Sequence, residues 1–199
     1  SWRSEGERTL SSNSISAILS GDDGSALIGT YGGGLNIVSQ SSATKVFSIG
    51  NNRIIMLHQT ADGTIWVGTE SGLYHFDIST GSNIKVQIEG VDMPDQTEPI
   101  VWDMIETGNG DIWLATMYHG LFVSRSADLT INTRRKFTRV LEPNNLFSTV
   151  YALEKDDQGY IWCSTDLGLV KIHATSMQTQ KFSHQQGLQL KEFDFGVSH

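Results

Sequence analysis

Along much of this chain, apolar and polar residues alternate in short runs separated by glycine-containing turns. Residues 54–88 show the pattern most fully. Ile54 to His58 is followed by a turn at Ala61-Asp62-Gly63, Ile65 to Thr69 by a turn at Ser71-Gly72, and Leu73 to Asp77 by a turn near Thr80-Gly81, before Ile84 to Ile88 closes the set. A period of two places alternate side chains on opposite faces of a strand, and Asp-Gly and Ser-Gly supply the positive φ that hairpin turns require. No amphipathic helical stretch of adequate length competes with this assignment. The pattern therefore predicts four strands joined by tight turns.

The same unit occurs four times. Gly24-Ser-Ala-Leu-Ile-Gly-Thr30, Gly63-Thr-Ile-Trp-Val-Gly-Thr69, Gly110-Asp-Ile-Trp-Leu-Ala-Thr116 and Gly159-Tyr-Ile-Trp-Cys-Ser-Thr165 align without a gap. Each threonine is followed closely by Gly-Leu, at Gly34-Leu35, Gly72-Leu73, Gly120-Leu121 and Gly168-Leu169. Apolar pairs precede each leading glycine at the same offsets: Ile15 and Ile18, Ile54 and Leu57, Val101 and Met104, Val150 and Leu153. The threonines lie 39, 47 and 49 residues apart, the period of propeller blades. Four strands per unit and four units make an all-β, propeller-like array. The units span about 14–49, 52–88, 99–140 and 148–183, with closing strands at Lys45 to Ile49, Lys136 to Val140 and near Lys181 to Ser183. Residues 1–13, with Trp2, and 187–199 read as partial blades. Open sheet edges at both ends suggest part of a larger propeller, or a half that pairs with another chain.

Residue choice within the unit follows from packing. Trp66, Trp113 and Trp162, with Leu27 in the first copy, sit on second strands, where an indole can fill the wedge between sheets and bury about 150 to 250 Å2. Gly29, Gly68, Ala115 or Ser164 lets the neighbouring sheet approach, and the terminal threonine hydroxyl can bond nearby backbone.

Composition narrows the function classes. With 20 glycines and only 3 prolines, the 199 residues suit many tight turns rather than a disordered linker. A net charge of -8 argues against nucleic acid or an anionic bilayer as partner. Cys163, the only cysteine, reads as a small buried hydrophobe on a second strand. The chain contains no apolar run of the roughly 18 residues that a membrane-spanning helix needs.

The pattern Asn-x-Ile-x-x-Ile, then Asp-x-Gly-x-Ile-Trp-Val-Gly-Thr, then Gly-Leu, as in Asn52 to Leu73, resembles the two-component regulator propeller repeat. The first copy departs most, with Leu27 in place of tryptophan. The resemblance implies about four blades of a seven-bladed propeller, from the periplasmic sensor region of a hybrid histidine kinase or related diguanylate cyclase. It also implies a sensory module in a homodimeric receptor, with kinase or cyclase chemistry elsewhere in the full-length protein; the alternatives are a scaffold for dimerisation or protein interaction without a small ligand and, less favoured, a polysaccharide lyase or hydrolase using Tyr118 and His119 or Glu70 and Asp166.

In a propeller, the loops joining strands two and three, and those joining strand four to the next strand one, emerge on one face, where binding residues concentrate. Those loops carry Tyr31, Asn51, Asn52, Arg53, Glu70, Glu98, Tyr118, His119, Asn144, Asn145, Phe147 and Asp166. The first-strand position that varies between copies is Ser16, Ile55, Trp102 or Tyr151, with Asp103 beside the third. Aromatics among arginine and carboxylates suit a sugar ring, which offers faces for stacking and hydroxyls for hydrogen bonds. Tyr31, Arg53, Glu70, Trp102, Tyr118, His119, Tyr151 and Asp166 are therefore the candidate ligand contacts, and the expected partners are an oligosaccharide or other small molecule and the remaining blades. Asp103 is read as satisfied by a neighbouring backbone amide. Asp22-Asp23 and Asp156-Asp157 are read as turn formers rather than calcium ligands, since both lack the spaced ligand series of a calcium loop. No metal, cofactor or catalytic residue is expected, and Arg134-Arg135-Lys136 is read as protection for a sheet edge.

Overall fold

The computed structural model describes residues 9–39, 44–88, 98–128, 135–140 and 148–182. Trp2, Arg134, Asn144, Asn145, Phe147 and the segment 187–199 lie outside the described residues. The chain divides into two units, 1–86 and 87–199, and each contains two four-stranded antiparallel sheets in sequential strand order.

In the first unit, one sheet is β1 (Ile15–Ser20), β2 (Ala26–Thr30), β3 (Gly34–Val38) and β4 (Lys45–Phe47). The other is β5 (Ile54–Gln59), β6 (Ile65–Thr69), β7 (Gly72–Phe76) and β8 (Asn83–Val86). In the second unit, β9 (Ile100–Glu106), β10 (Ile112–Met117), β11 (Gly120–Ser124) and β12 (Thr138–Arg139) form one sheet, with a 3-10 turn at Ser126–Asp128. β13 (Val150–Lys155), β14 (Tyr160–Thr165), β15 (Gly168–His173) and β16 (Thr179–Phe182) form the other. Closing strands are shorter than the alternation suggested, because the chain leaves the ladder early; Ile49, beyond β4, turns into the core and is fully buried.

Each unit has its own apolar layer between its two sheets. In the first, Leu27 and Leu35 share a buried cluster with Ile54, Ile65, Val67, Tyr74 and Phe76. The glycine of the repeat explains how closely these sheets approach: a Cβ at Gly29 would lie 2.5 Å from Ile54 Cγ2. In the second unit, Trp113, Ala115, Leu121 and Val123 pack with Val150, Leu153, Ile161, Cys163, Val170 and Ile172. Cys163 is fully buried there.

The repeated threonines act as local locks. Thr30, Thr69, Thr116 and Thr165 donate through Oγ1 to the carbonyls of Gly34, Gly72, Gly120 and Gly168, at 2.8, 3.0, 2.6 and 2.7 Å. Each bond closes the turn between the second and third strands of its sheet. Trp66 and Trp113 are buried as expected, but Trp162 is only half-buried. It stacks on Phe182, with centroids 5.6 Å apart, and Lys171 Nζ lies 4.6 Å from its ring. Lys171 occupies the position held by Val123 in the third copy, so this face of β14 and β15 carries a charge where the third copy presents an apolar wall.

Candidate functional site

The loop residues of the first unit converge on one cluster. Tyr31 directly follows β2, Arg53 directly precedes β5, and the two form an isolated antiparallel bridge. Glu70 follows β6 and receives both neighbours: Arg53 Nη1 donates to Oε2 at 2.8 Å, and the Tyr31 hydroxyl donates to Oε1. The Arg53 guanidinium also lies 5.2 Å from the centroid of the Tyr31 ring. The Arg53 hydrogen bond, reinforced by Tyr31, holds the Glu70 carboxyl below its ordinary range, while the same carboxylate pushes the Tyr31 phenol up. The cluster presents an aromatic face and a guanidinium together at the surface. Asn51 and Asn52 are engaged by their own loop: Asn51 Oδ1 accepts from Arg53 N, and Asn52 Oδ1 from Ile49 N.

In the second unit, Trp102 of β9 and Tyr151 of β13 stack at 5.1 Å between centroids and 27° between planes. Both are half-buried. Asp103, next to Trp102, accepts from two backbone amides, Met104 N at 2.8 Å and Leu153 N at 2.7 Å. Burial, the largest influence, lifts its carboxyl to about 6 against the pull of those two amides, with a small further push from Glu154.

The remaining candidates occupy neighbouring loops of the same unit. Tyr118 is exposed, has φ of 64°, and its amide donates to Thr149 Oγ1. His119 is buried, with Nδ1 2.7 Å from the Met117 carbonyl. A carbonyl can only accept, so the ring proton sits on Nδ1 and Nε2 is left buried without a hydrogen-bond partner. Asp166 is taken up by its loop, accepting from the Ser148 amide and hydroxyl and from the Thr149 amide. The structure thus brings Tyr31, Arg53 and Glu70 together, pairs Trp102 with Tyr151, and gives Asp166 a turn-forming role. Asp23 and Asp156 likewise bond turn amides, from Ser25 and Gln158 respectively. Among the described residues no group of three or more His, Cys, Asp or Glu could hold a metal ion.

One regularity escaped the sequence reading. The ladder between first and second strands slips by one residue at the same place in all four sheets, pairing Ile15 and Ala17, Ile54 and Met56, Val101 and Asp103, Val150 and Ala152 with consecutive residues of the second strand. The residue left over is Ser16, Ile55, Trp102 or Tyr151. These variable positions are therefore β-bulges, which re-aim one side chain without disturbing the ladder on either side. The spacing from the apolar pair to the leading glycine is constant, so the sequence held the bulge's position but no compositional mark of it.

A shallow cavity of about 350 Å3 lies among the turns between first and second strands of the second unit, lined by Asn109, Asp156, Tyr160 and His173 among others; none of the eight candidate contacts lines it.

Comparison with known proteins places the repeat. Residues 48–71 match the family model described as two component regulator propeller. No curated protein sequence matches the chain. Among solved structures, it is similar to the extracellular domain of BT3049 from B. thetaiotaomicron, described as a hybrid two component system, at 18% identity and a TM-score of 0.70, covering 92% of this chain and 25% of that one. The extracellular domain of BT4673 from the same organism gives 17% identity and a TM-score of 0.72, covering 87% of this chain and 26% of that one. A virginiamycin B lyase from Staphylococcus aureus gives 14% identity and 0.60, covering 85% of this chain and 55% of that one. The chain thus spans about a quarter of the length of the sensor structures. These likenesses show the fold, a β-propeller built from four-stranded blades. Residues 48–71 thus carry the signature of the two component regulator propeller repeat, and the same four-stranded order is restated in the other three sheets.

Proposed function

We propose that this chain forms part of an extracytoplasmic, and specifically periplasmic, ligand-sensing propeller in a bacterial membrane signalling receptor, and that its ligand is a carbohydrate or similar small molecule. The observation that carries the reading is the coincidence of the repeat match at 48–71 with the fold likeness to two sensor extracellular domains. The site chemistry is compatible with it. A stacked aromatic pair offers an apolar platform, and Arg53 beside Tyr31 offers a donor fork next to a second ring, the combination that a polyhydroxylated ring can use.

The test is a thermal-shift screen of oligosaccharides on the intact ectodomain that contains this chain. A ligand at one hundred times its Kd adds about 2.7 kcal/mol to apparent stability, a shift of several degrees. Trp102→Ala or Arg53→Ala should reduce that shift, measured from each variant's own ligand-free melting temperature. If no sugar stabilises the protein, the carbohydrate reading fails.

A second reading, an enzyme, has the likeness to the virginiamycin B lyase behind it. The groups that would serve such chemistry are engaged otherwise: Glu70 by Arg53 and Tyr31, Asp166 by its loop, and His119 by a backbone carbonyl. A binding role uses the same residues without requiring them to release these partners. A third reading, a scaffold for dimerisation without a small ligand, predicts an oligomeric state indifferent to every sugar in the screen.

A further inference from the structure

First strands of adjacent sheets lie side by side within each unit yet belong to separate ladders, so no backbone ladder joins β1 to β5 or β9 to β13. A side chain makes the connection instead, and the two units do it differently. In the first, the bulge residue itself is used: Ser16 Oγ donates to the Ile54 carbonyl at 2.6 Å and approaches the Gly29 carbonyl at 3.1 Å. That side chain is thereby committed to structure. In the second unit the connection moves one residue along the strand, to Asp103, whose Oδ2 accepts from Leu153 N of β13 while Oδ1 accepts from Met104 N of β9. The bulge residue Trp102 is then left to stack on Tyr151, the bulge residue of the neighbouring sheet.

We infer that Asp103 is a positioning residue for the Trp102–Tyr151 platform: its ionised carboxylate ties β9 to β13 and so fixes the two rings in register, and taking up a proton loosens that tie. This role rests on the proposed reading of the pair as a ligand contact, and it deepens that reading by making recognition sensitive to pH.

The chemistry follows from hydrogen-bond inventory. Both carboxylate oxygens face N–H donors, so an ionised group satisfies two amides at once. A proton on one of those oxygens takes a lone pair and the negative charge, and the bond that this oxygen accepts is weakened. Burial sets the carboxyl at about 6, within the range over which the pH of an extracytoplasmic compartment can change. The other titratable groups on the packed strands are few. β13 contributes the Tyr151 phenol, Glu154, which favours the protonated form of Asp103, and Lys155, whose ammonium donates to the Glu106 carbonyl at 2.6 Å. β9 contributes Glu106, and β10 carries no titratable side chain.

The experiment follows tryptophan emission and near-ultraviolet circular dichroism of the ligand-free ectodomain from pH 5 to pH 8. Wild type should show a transition centred near pH 6 from separation of the two rings. Asp103→Asn and Trp102→Phe should each abolish it, and Glu154→Gln should move its midpoint to lower pH by removing a like charge. A wild type with no transition, or a transition that survives Asp103→Asn, overturns the inference. Should Asp103→Asn fail to fold, Glu154→Gln decides, and an unmoved midpoint overturns it. Because no ligand is present, a negative result here leaves the outcome of the sugar screen untouched, and a failed screen leaves this titration intact.

Discussion

Removal of Arg125 should weaken the second unit by an amount that its contacts define. It follows β11, and its guanidinium makes four contacts. Nη1 donates to Asp111 Oδ2 at 2.8 Å and to the Ala174 carbonyl at 2.7 Å, Nη2 lies 3.0 Å from Met177 Sδ, and the group sits 5.2 Å from the Trp113 ring centroid. Asp111 and Trp113 belong to one sheet and its turn, Ala174 and Met177 to the turn of the other, so this side chain staples the two sheets. The Asp111 side chain is 4% exposed and that of Arg125 27%. Removing one partner of a buried ion pair costs about 3–5 kcal/mol. The partial exposure of the arginine, and the two donors that Asp111 keeps in Ser126 N and Asn109 Nδ2, bring the expectation for Arg125→Ala to about 2–3 kcal/mol. For a chain of this size that is a fall of about 5–10 °C in Tm. Arg125→Lys keeps the charge but not the fork, and should lose about half as much. Urea denaturation at pH 7 of the two variants, with Asp111→Asn and the double mutant, reads both the loss and its origin. A coupling energy near zero between Arg125 and Asp111, or an Arg125→Ala variant within about 0.5 kcal/mol of wild type, would refute the staple.

Two further perturbations test the packing of the repeat. Gly29→Ala places a methyl group 2.5 Å from Ile54 Cγ2, closer than side chains tolerate, and should cost about 1–3 kcal/mol by forcing the sheets apart, seen as a lower urea midpoint. Thr116→Val keeps the shape but removes the 2.6 Å bond to the Gly120 carbonyl, and should cost about 1 kcal/mol in the same assay; an unchanged midpoint would mean that the lock is ornamental.

What could be read from the sequence was what each blade needs for itself. The strand Ile65–Thr69 lies where the alternation put it, because period two and an Asp-Gly turn are local signals. The backbone partnership of Asp103 was legible in kind, since a carboxylate inside a strand needs amide donors. That one donor would come from Leu153, fifty residues away, was not. The same holds for Arg125, whose contacts at Ala174 and Met177 lie 49 and 52 residues along the chain. Loop membership did group Tyr31, Arg53 and Glu70 on one face, because strand order fixes which loops emerge together, yet their mutual bonding depended on the bridge between positions 31 and 53. Trp162 shows the converse error: the motif predicted a buried wedge, but burial also depends on the facing residue, and Lys171 lies over the ring.

The division of labour within the repeat follows from these contacts. A residue that packs between sheets is constrained on every side, as Gly29 is by Ile54, so a small residue recurs there from copy to copy. A bulge residue has no partner opposite it on the second strand, and the ladder on either side holds its backbone whatever the side chain. Ser, Ile, Trp and Tyr accordingly occupy one structural position in a single chain. The ladder leaves the choice of side chain open at these four places. Ser16 shows the limit of that freedom: where no neighbour bridges the first strands, the bulge residue must do so itself. In the second unit Asp103, where the matching positions 17, 56 and 152 hold alanine or methionine, makes that connection, and the bulge residues Trp102 and Tyr151 stack on one another.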